Sequence, residues 1–378
     1  CYTVKKRIQA SIGYQDYFPQ DITSYEGWYY KLKNAYFDTL DNKSTYHNGD
    51  TLTMEDAIAK IQLNWNLASK EKSLEKKTML LNNCIITINQ IQERLPEEYV
   101  VPAYVAILEC LLKQNLVSEA MEYLTDVCSF LEEESDEIKT KYAAKIFDIE
   151  ITLQNLAYCS NQIEECFKLF QNINNSYKYC EKNSKQMHNF AGANALIGKI
   201  LFEAQMLDEA YQFIKTTNDI LKELYEKNEC SPFEFAGSSF TYANLFYQSG
   251  NYGQAITRFK ELIDFCERNE FNNKQNILSM TYNYLGQVYV CLNDYEEAIN
   301  TYKKIDEIVS KYEENDELVD ERADYRYRIG LIYYKFLKNN QEAKKYFEEA
   351  LAFLQRTVNP TNETSDFIEV LESYINNL

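Results

Sequence analysis

Six small side chains recur along the sequence at a nearly constant interval. The steps between them are 46, 44, 45, 43 and 45 residues. An interval of this length is typical of repeat proteins, in which each repeat is one supersecondary unit that buries its apolar face against its neighbours. We therefore expect the chain to be an array of similar units. The recurring residues are Ala120, Cys166, Ala210, Ala255, Ala298 and Ala343.

The clearest unit is the segment 281–305, TYNYLGQVYVCLNDYEEAINTYKKI. Its apolar residues lie three or four positions apart, which predicts two helices with a break at Asn293-Asp294. Gly286 in the first helix and Ala298 in the second are small, so we expect the two helices to approach closely there. The packing positions on the two helices are Tyr282, Leu285, Tyr289, Tyr302 and Ile305.

Five other segments fit the same frame, and the last of them has one extra residue in the turn. A glycine followed by an aromatic residue and then by a small residue resembles the tetratricopeptide repeat, whose usual length is about 34 residues. The resemblance implies an all-α fold, a right-handed α-solenoid of helix–turn–helix repeats. A generic helical bundle and a HEAT-like repeat of about 40–47 residues are the alternatives. The five segments are 105–124, 150–170, 195–214, 241–259 and 327–347.

Three regions are predicted along the chain. Residues 1–95 lack the repeat frame and contain both tryptophans, Trp28 and Trp65. Their three helical patterns, EGWYYKLKNAYFDTL, TMEDAIAKIQLNWNLA and MLLNNCIITINQIQERL, predict an N-terminal helical cap or bundle. Residues 96–355 hold six repeats. Residues 356–378 predict a C-terminal capping helix, because an open solenoid needs its terminal apolar faces covered.

The formal net charge of −19 restricts the class of partner. Nucleic acids and anionic membranes are bound mainly through lysine and arginine. We therefore expect protein or peptide partners, no direct binding of nucleic acid by this fragment and no insertion into a membrane. The acidic stretches at 132–137 and 313–317 are interpreted as solvated helix ends.

The ten cysteines indicate a reducing compartment. None forms a C-x-x-C pair, and most lie within apolar helical patterns, where a free cysteine behaves as a small hydrophobe. A cytoplasmic protein is expected. The sequence has no apolar run of 18 residues, and its first residues, CYTVKKR, lack a methionine and an apolar signal core. A fragment is expected, so an upstream domain such as a helix-turn-helix could precede it.

No catalytic, cofactor-binding or metal-binding motif is present. The phosphate-binding G-x-x-x-x-G-K-[ST], H-E-x-x-H and G-x-S-x-G patterns are all missing. His47 and His188 are the only histidines, and a dyad of His188 with the nearby Cys180 has no identifiable orienting group. The sequence therefore predicts a protein that is not an enzyme and that needs no cofactor and no metal. Most of the 32 tyrosines are expected to pack in the core.

The binding groove is predicted on the first helices of the repeats. In tetratricopeptide proteins these helices line the concave face, and asparagine or glutamine there can hydrogen-bond a peptide backbone. Members that bind chaperone tails use a lysine, arginine and asparagine clamp, and this chain has no regular lysine and arginine set. The predicted groove residues are Lys199, Phe240, Asn244, Tyr247, Asn283, Gln287 and Tyr327.

Three functions are compatible with such a groove. Long repeats resemble those of kinesin light chains and Pins-type adaptors, which implies a protein-interaction scaffold. An N-terminal helical region joined to a repeat array is also similar to Rap-type peptide-sensing regulators. The GWYYKLK segment resembles a tryptophan-tyrosine helix near the start of Rap proteins. A structural subunit of a large assembly is the third possibility.

Overall fold

The computed structural model describes residues 52–91, 94–309, 316–356 and 361–378. These residues form fifteen α-helices and no strand, so the all-α prediction is confirmed. A π-helical turn, Ile332–Phe336, directly follows the helix that ends at Leu331. The helices are α1 Met54–Lys70, α2 Leu74–Gln90, α3 Glu97–Lys113, α4 Val117–Glu132, α5 Asp136–Cys159, α6 Ile163–Tyr177, α7 Ser184–Glu203, α8 Leu207–Glu226, α9 Pro232–Gln248, α10 Tyr252–Arg268, α11 Lys274–Cys291, α12 Tyr295–Val309, α13 Asp316–Leu331, α14 Asn340–Leu354 and α15 Asn362–Asn376.

Six helix pairs follow one another from α3 to α14. The two helices of each pair pack together, and the second helix of each pair also packs on the first helix of the next. Some neighbouring first helices also contact each other. These contacts join α3 to α5, α5 to α7 and α9 to α11. This stacking confirms the predicted α-solenoid. Helix α15 packs on α14 at the end of the array.

The chain divides into two compact units. One contains residues 1–63 and 86–95, and the other contains residues 64–85 and 96–378, with all six helix pairs. Helices α1 and α2 cover two of the three helical patterns predicted in residues 1–95, and the pattern around Trp28 lies outside the described residues. The division into a cap, six repeats and a capping helix stays a prediction.

The turn inside each pair has a single residue in the left-handed region, with φ between 55° and 74°. Such a residue ends an α-helix because it lets a following N–H bond back to an unpaired carbonyl. In the fifth pair, for example, the N–H of Asp294 donates to the carbonyl of Tyr289 at 2.9 Å. Each left-handed residue stands five positions before one of the recurring small residues. The period of the sequence is therefore also the period of the backbone. The six residues are Asn115, Asn161, Gln205, Gly250, Asn293 and Lys338.

The recurring small residues lie where the helices of each pair cross. All six are 0% exposed. In the fifth pair, a Cβ on Gly286 would lie 2.6 Å from the ring of Tyr302, and in the sixth a Cβ on Gly330 would lie 2.6 Å from the ring of Phe347. No side chain fits at such a distance without displacing a ring that is itself buried. The close approach predicted at Gly286 is therefore present.

The extra residue of the sixth repeat lies in the helix and not in the turn. The N–H of Leu337 donates to the carbonyl of Ile332 at 3.1 Å, a bond that widens the last helical turn. The left-handed Lys338 still stands five positions before Ala343, as in the other pairs. The turn keeps its geometry because the helix absorbs the insertion, so the predicted position of this residue was wrong.

Candidate functional site

The predicted groove residues all lie on first helices of the pairs. Because α9 and α11 contact each other, the five residues that they contribute can form one surface. The remaining two lie on α7 and α13. By helix, the seven are Lys199 on α7, Phe240, Asn244 and Tyr247 on α9, Asn283 and Gln287 on α11, and Tyr327 on α13.

A chain of hydrogen bonds joins α9 to α11. The hydroxyl of Tyr247 donates to Oε1 of Gln287 at 3.2 Å, and Nε2 of Gln287 donates to Oδ1 of Asn283 at 3.2 Å. On α9, Oδ1 of Asn244 accepts from Gln248 at 3.5 Å. A primary amide has two donor hydrogens and an oxygen with two lone pairs, so these bonds use only part of its capacity. Tyr247, Asn244, Asn283 and Gln287 are all half-buried, which leaves them within reach of a ligand.

Aromatic rings pack around this polar row, which consists of Tyr247, Gln287 and Asn283. The ring of Tyr284 on α11 lies edge-on to Phe240, with centroids 5.3 Å apart, and edge-on to Tyr247 at 5.8 Å. Phe240 also contacts the buried Phe259 of α10 at 6.1 Å. Phe240 therefore connects Tyr284 of α11 to the buried core of α10. Sequence reasoning missed Tyr284, although it directly follows Asn283.

An arginine of α13 adds a positive charge beside the polar row. Nε of Arg328 donates to Oδ2 of Asp324 at 2.7 Å, and the charge of Arg328 also opposes the rise that burial causes in the pKa of Tyr302. Burial alone would lower the pKa of Arg328, but the charge of Asp324 raises it overall. Burial raises the pKa of Tyr247, and the positive charge of Arg328 opposes that rise. Arg328 is thus electrostatically coupled to Tyr247, and sequence reasoning did not identify it.

Lys199 and Tyr327 are not part of this group of contacts. The ammonium of Lys199 lies 5.4 Å from the centroid of the Tyr158 ring and 3.9 Å from Glu203. Tyr327 packs against Phe367 and Tyr374 of α15, with centroids 5.2 and 6.0 Å away. Their participation in binding stays a prediction.

The cysteines of the described residues are all free. Burial raises the pKa of Cys84 and of Cys266 to about 12, so both thiols stay protonated at neutral pH. Nε2 of His188 lies 2.9 Å from Oε1 of Glu234, which provides it with an acidic neighbour. Across the described ranges, no group of three or more His, Cys, Asp and Glu side chains is arranged to hold a metal ion. None of the helices in those ranges combines the length and the apolar character needed to cross a membrane.

Solved structures of helical-repeat proteins are similar to this chain at low sequence identity. A signal transduction ATPase with a tetratricopeptide repeat sensor from Pyrococcus horikoshii is 14% identical, with a TM-score of 0.46 over 94% of this chain and 50% of that one. The apo form of the quorum sensor NprR from B. thuringiensis is 14% identical, with a TM-score of 0.40 over 84% and 80%. The apo form of RapI is 14% identical, with a TM-score of 0.39 over 72% and 94%. No curated protein sequence matches the chain significantly.

Two family models match the chain, and both describe the tetratricopeptide repeat. The first covers residues 235–308, and the second covers residues 323–353. The matched residues run from α9 to α12 and from α13 into α14, three consecutive helix pairs of the array. The two matches and the stacked pairs show that these segments are tetratricopeptide repeats.

Proposed function

We propose that the chain is a non-enzymatic scaffold that binds a protein or a peptide across helices α9 and α11. The observation that carries the proposal is the half-buried polar row of Tyr247, Gln287 and Asn283 on two contacting first helices. An extended peptide presents alternating N–H and C=O groups, and a carboxamide can meet both. Stacked helix pairs curve, and their curvature creates the extended concave surface on which repeat proteins bind their ligands.

The charge of the chain favours a neutral or basic ligand. The net charge is −19, and Asp324 already neutralises Arg328 at the edge of the polar row. A ligand segment rich in carboxylates would meet repulsion from the protein as a whole. We also propose that the protein acts in the reducing cytoplasm. The free thiols of the described residues support this location.

The test compares ligand capture by the wild type and by two double variants. The groove variant carries Asn244→Ala and Asn283→Ala. The control carries Gln254→Ala and Asn300→Ala, two exposed residues on the second helices α10 and α12. Material captured from the source cell is identified by mass spectrometry, and the affinity of each variant for it is then measured with purified components.

The expected result is a loss of affinity of about tenfold or more in the groove variant, since each lost hydrogen bond contributes about 0.5–1.5 kcal/mol. The control should keep its affinity. Equal affinity of the two variants, with helical content intact, would place the binding surface elsewhere. A captured short peptide would identify a peptide-sensing regulator, whereas large proteins at fixed stoichiometry would identify an adaptor or an assembly subunit.

A further inference from the structure

A pocket lies among helices α4, α5 and α6, away from the predicted groove on α9 and α11. Its volume is about 90 Å³, several times the roughly 10–15 Å³ that a cavity needs to hold one water. Glu150 of α5 forms part of its wall and is 0% exposed. A carboxyl group without contact to solvent costs free energy unless its oxygens are paired.

The two oxygens of Glu150 have different surroundings. Oε1 accepts from the hydroxyl of Ser176 at 3.0 Å and from the thiol of Cys128 at 3.8 Å. Oε2 has no hydrogen-bond partner among the described residues. The wall of the pocket thus includes a residue whose Oε2 is buried and has unused capacity to accept a hydrogen bond.

The fold does not require an acid at this position. Glu150 stands sixteen residues before the recurring Cys166, and the same offset in three other repeats gives Asn194, Ser239 and Tyr282. Neutral side chains therefore occupy the equivalent position without loss of the helix pair. The helix pair therefore does not account for an acid at position 150.

The charges around the pocket are few. Glu132 of α4 is exposed at the edge, and Lys139 of α5 holds its ammonium 5.8 Å from the centroid of the Tyr179 ring. Tyr179 also lines the pocket, Cys128 and Cys180 are the thiols near the carboxyl, and the pKa of each thiol is raised mainly by burial. Both thiols are therefore neutral at pH 7, and Lys139 is the one lysine among the residues that line the pocket.

We propose that this pocket binds a small primary ammonium group, which donates to Oε2 of Glu150. The group comes from a free amine or from a lysine side chain of a partner. A hydrogen bond between an ammonium and a carboxylate is about twice as strong as one between neutral groups. Burial raises the pKa of Glu150 to about 8, so the carboxyl gives up its proton when the ammonium binds at pH 7.

The experiment is calorimetry with ethylammonium chloride as the probe and ethanol as its neutral analogue. At pH 7, titrations in two buffers with different ionisation enthalpies measure the protons that are released. We expect ethylammonium to bind with release of nearly one proton and ethanol not to bind. With a carboxyl pKa of about 8, the affinity should rise by about tenfold between pH 7 and pH 9.

The matched variants are Glu150→Gln and Glu137→Gln, which both lie on α5. Glu137 is exposed, and it serves as the control. Glu150→Gln should lose at least about tenfold in affinity for ethylammonium, and Glu137→Gln should keep the wild-type value. If Glu150→Gln does not fold, the proton release and the pH dependence of the wild type still decide the question.

Nα-acetyl-lysine amide distinguishes the two sources of the ammonium. Binding of this compound as tight as that of ethylammonium identifies a lysine side chain, and binding of ethylammonium alone identifies a free amine. Either result supports the pocket. Absence of ethylammonium binding, binding of ethanol with equal affinity, or binding without proton release overturns the proposal.

Discussion

The hydroxyl of Tyr247 on α9 donates to Oε1 of Gln287 on α11 at 3.2 Å, although the two residues are 40 positions apart in sequence. The bond joins the first helices of two consecutive repeats at the surface where we propose that the ligand binds. Nε2 of Gln287 in turn donates to Oδ1 of Asn283. A ligand that hydrogen-bonds Gln287 in place of Tyr247 would therefore also change the contact between the two repeats.

The bond between Tyr247 and Gln287 should be measurable as a coupling free energy. In a double-mutant cycle with Tyr247→Phe and Gln287→Ala, we expect a coupling of about 0.5–1.5 kcal/mol in the free energy of unfolding in urea. A cycle that pairs Tyr247→Phe with Asn300→Ala on α12 is the control and should show none. Equal coupling in the two cycles would mean that the bond does not contribute to stability.

Gly286→Ala should destabilise the fifth repeat. The added Cβ would lie 2.6 Å from the ring of Tyr302, which is 2% exposed and has no free space to enter. We expect a loss of about 1–3 kcal/mol, the usual cost of an overpacked core, measured by urea unfolding. Gly253→Ala is the control, because a Cβ there meets no atom within 4 Å. That variant should be neutral or more stable by up to about 1 kcal/mol, since alanine restricts the unfolded chain. A stable Gly286→Ala would contradict the close packing of α11 on α12.

Glu150 should make the stability of the chain depend on pH. Its folded pKa of about 8 is above the ordinary 4.5, so the folded state binds the proton more tightly than the unfolded state does. The contribution of Glu150 is therefore most favourable below pH 4.5 and is lost as the pH rises through about 8.

Glu150→Gln removes this titration. We expect the variant to gain stability over the wild type as the pH rises from about 5 to 8, by a few kcal/mol at most. Melting temperatures across that range, with Glu137→Gln as the control, measure the difference. Parallel curves for wild type and Glu150→Gln would show that the carboxyl titrates normally.

The thiols should differ in their rate of alkylation. Cys159 and Cys291 are exposed, whereas Cys84, Cys166 and Cys266 are 0% exposed. Burial raises the pKa of each of these three thiols, and the thiolate is the reactive form. Under native conditions, peptide mapping after iodoacetamide treatment should find Cys159 and Cys291 modified before the buried three. Modification of Cys166 at the same rate would contradict its place at the helix crossing.

The repeat array could be predicted because its signal is periodic. The small residues at the crossings, such as Cys166 and Ala298, are required by helices that approach closely, and each period repeats that requirement. Tyr284 and Arg328 could not be identified in this way, because their positions in the site depend on rings and charges from neighbouring repeats. Glu150 was missed for the same reason, since the pocket beside it forms only where three helices meet.

The fixed distance from each left-handed turn residue to the next helix crossing has a consequence for variation in length. The two are five positions apart in all six pairs, from Asn115 and Ala120 to Lys338 and Ala343. The differences among intervals of 43 to 46 residues therefore fall entirely between one crossing and the following turn. Insertions and deletions should be tolerated in the second helix, the connection and the first helix, as the π-helical turn at Ile332–Phe336 illustrates. The same change between turn and crossing would rotate the second helix and turn its apolar face away from its partner.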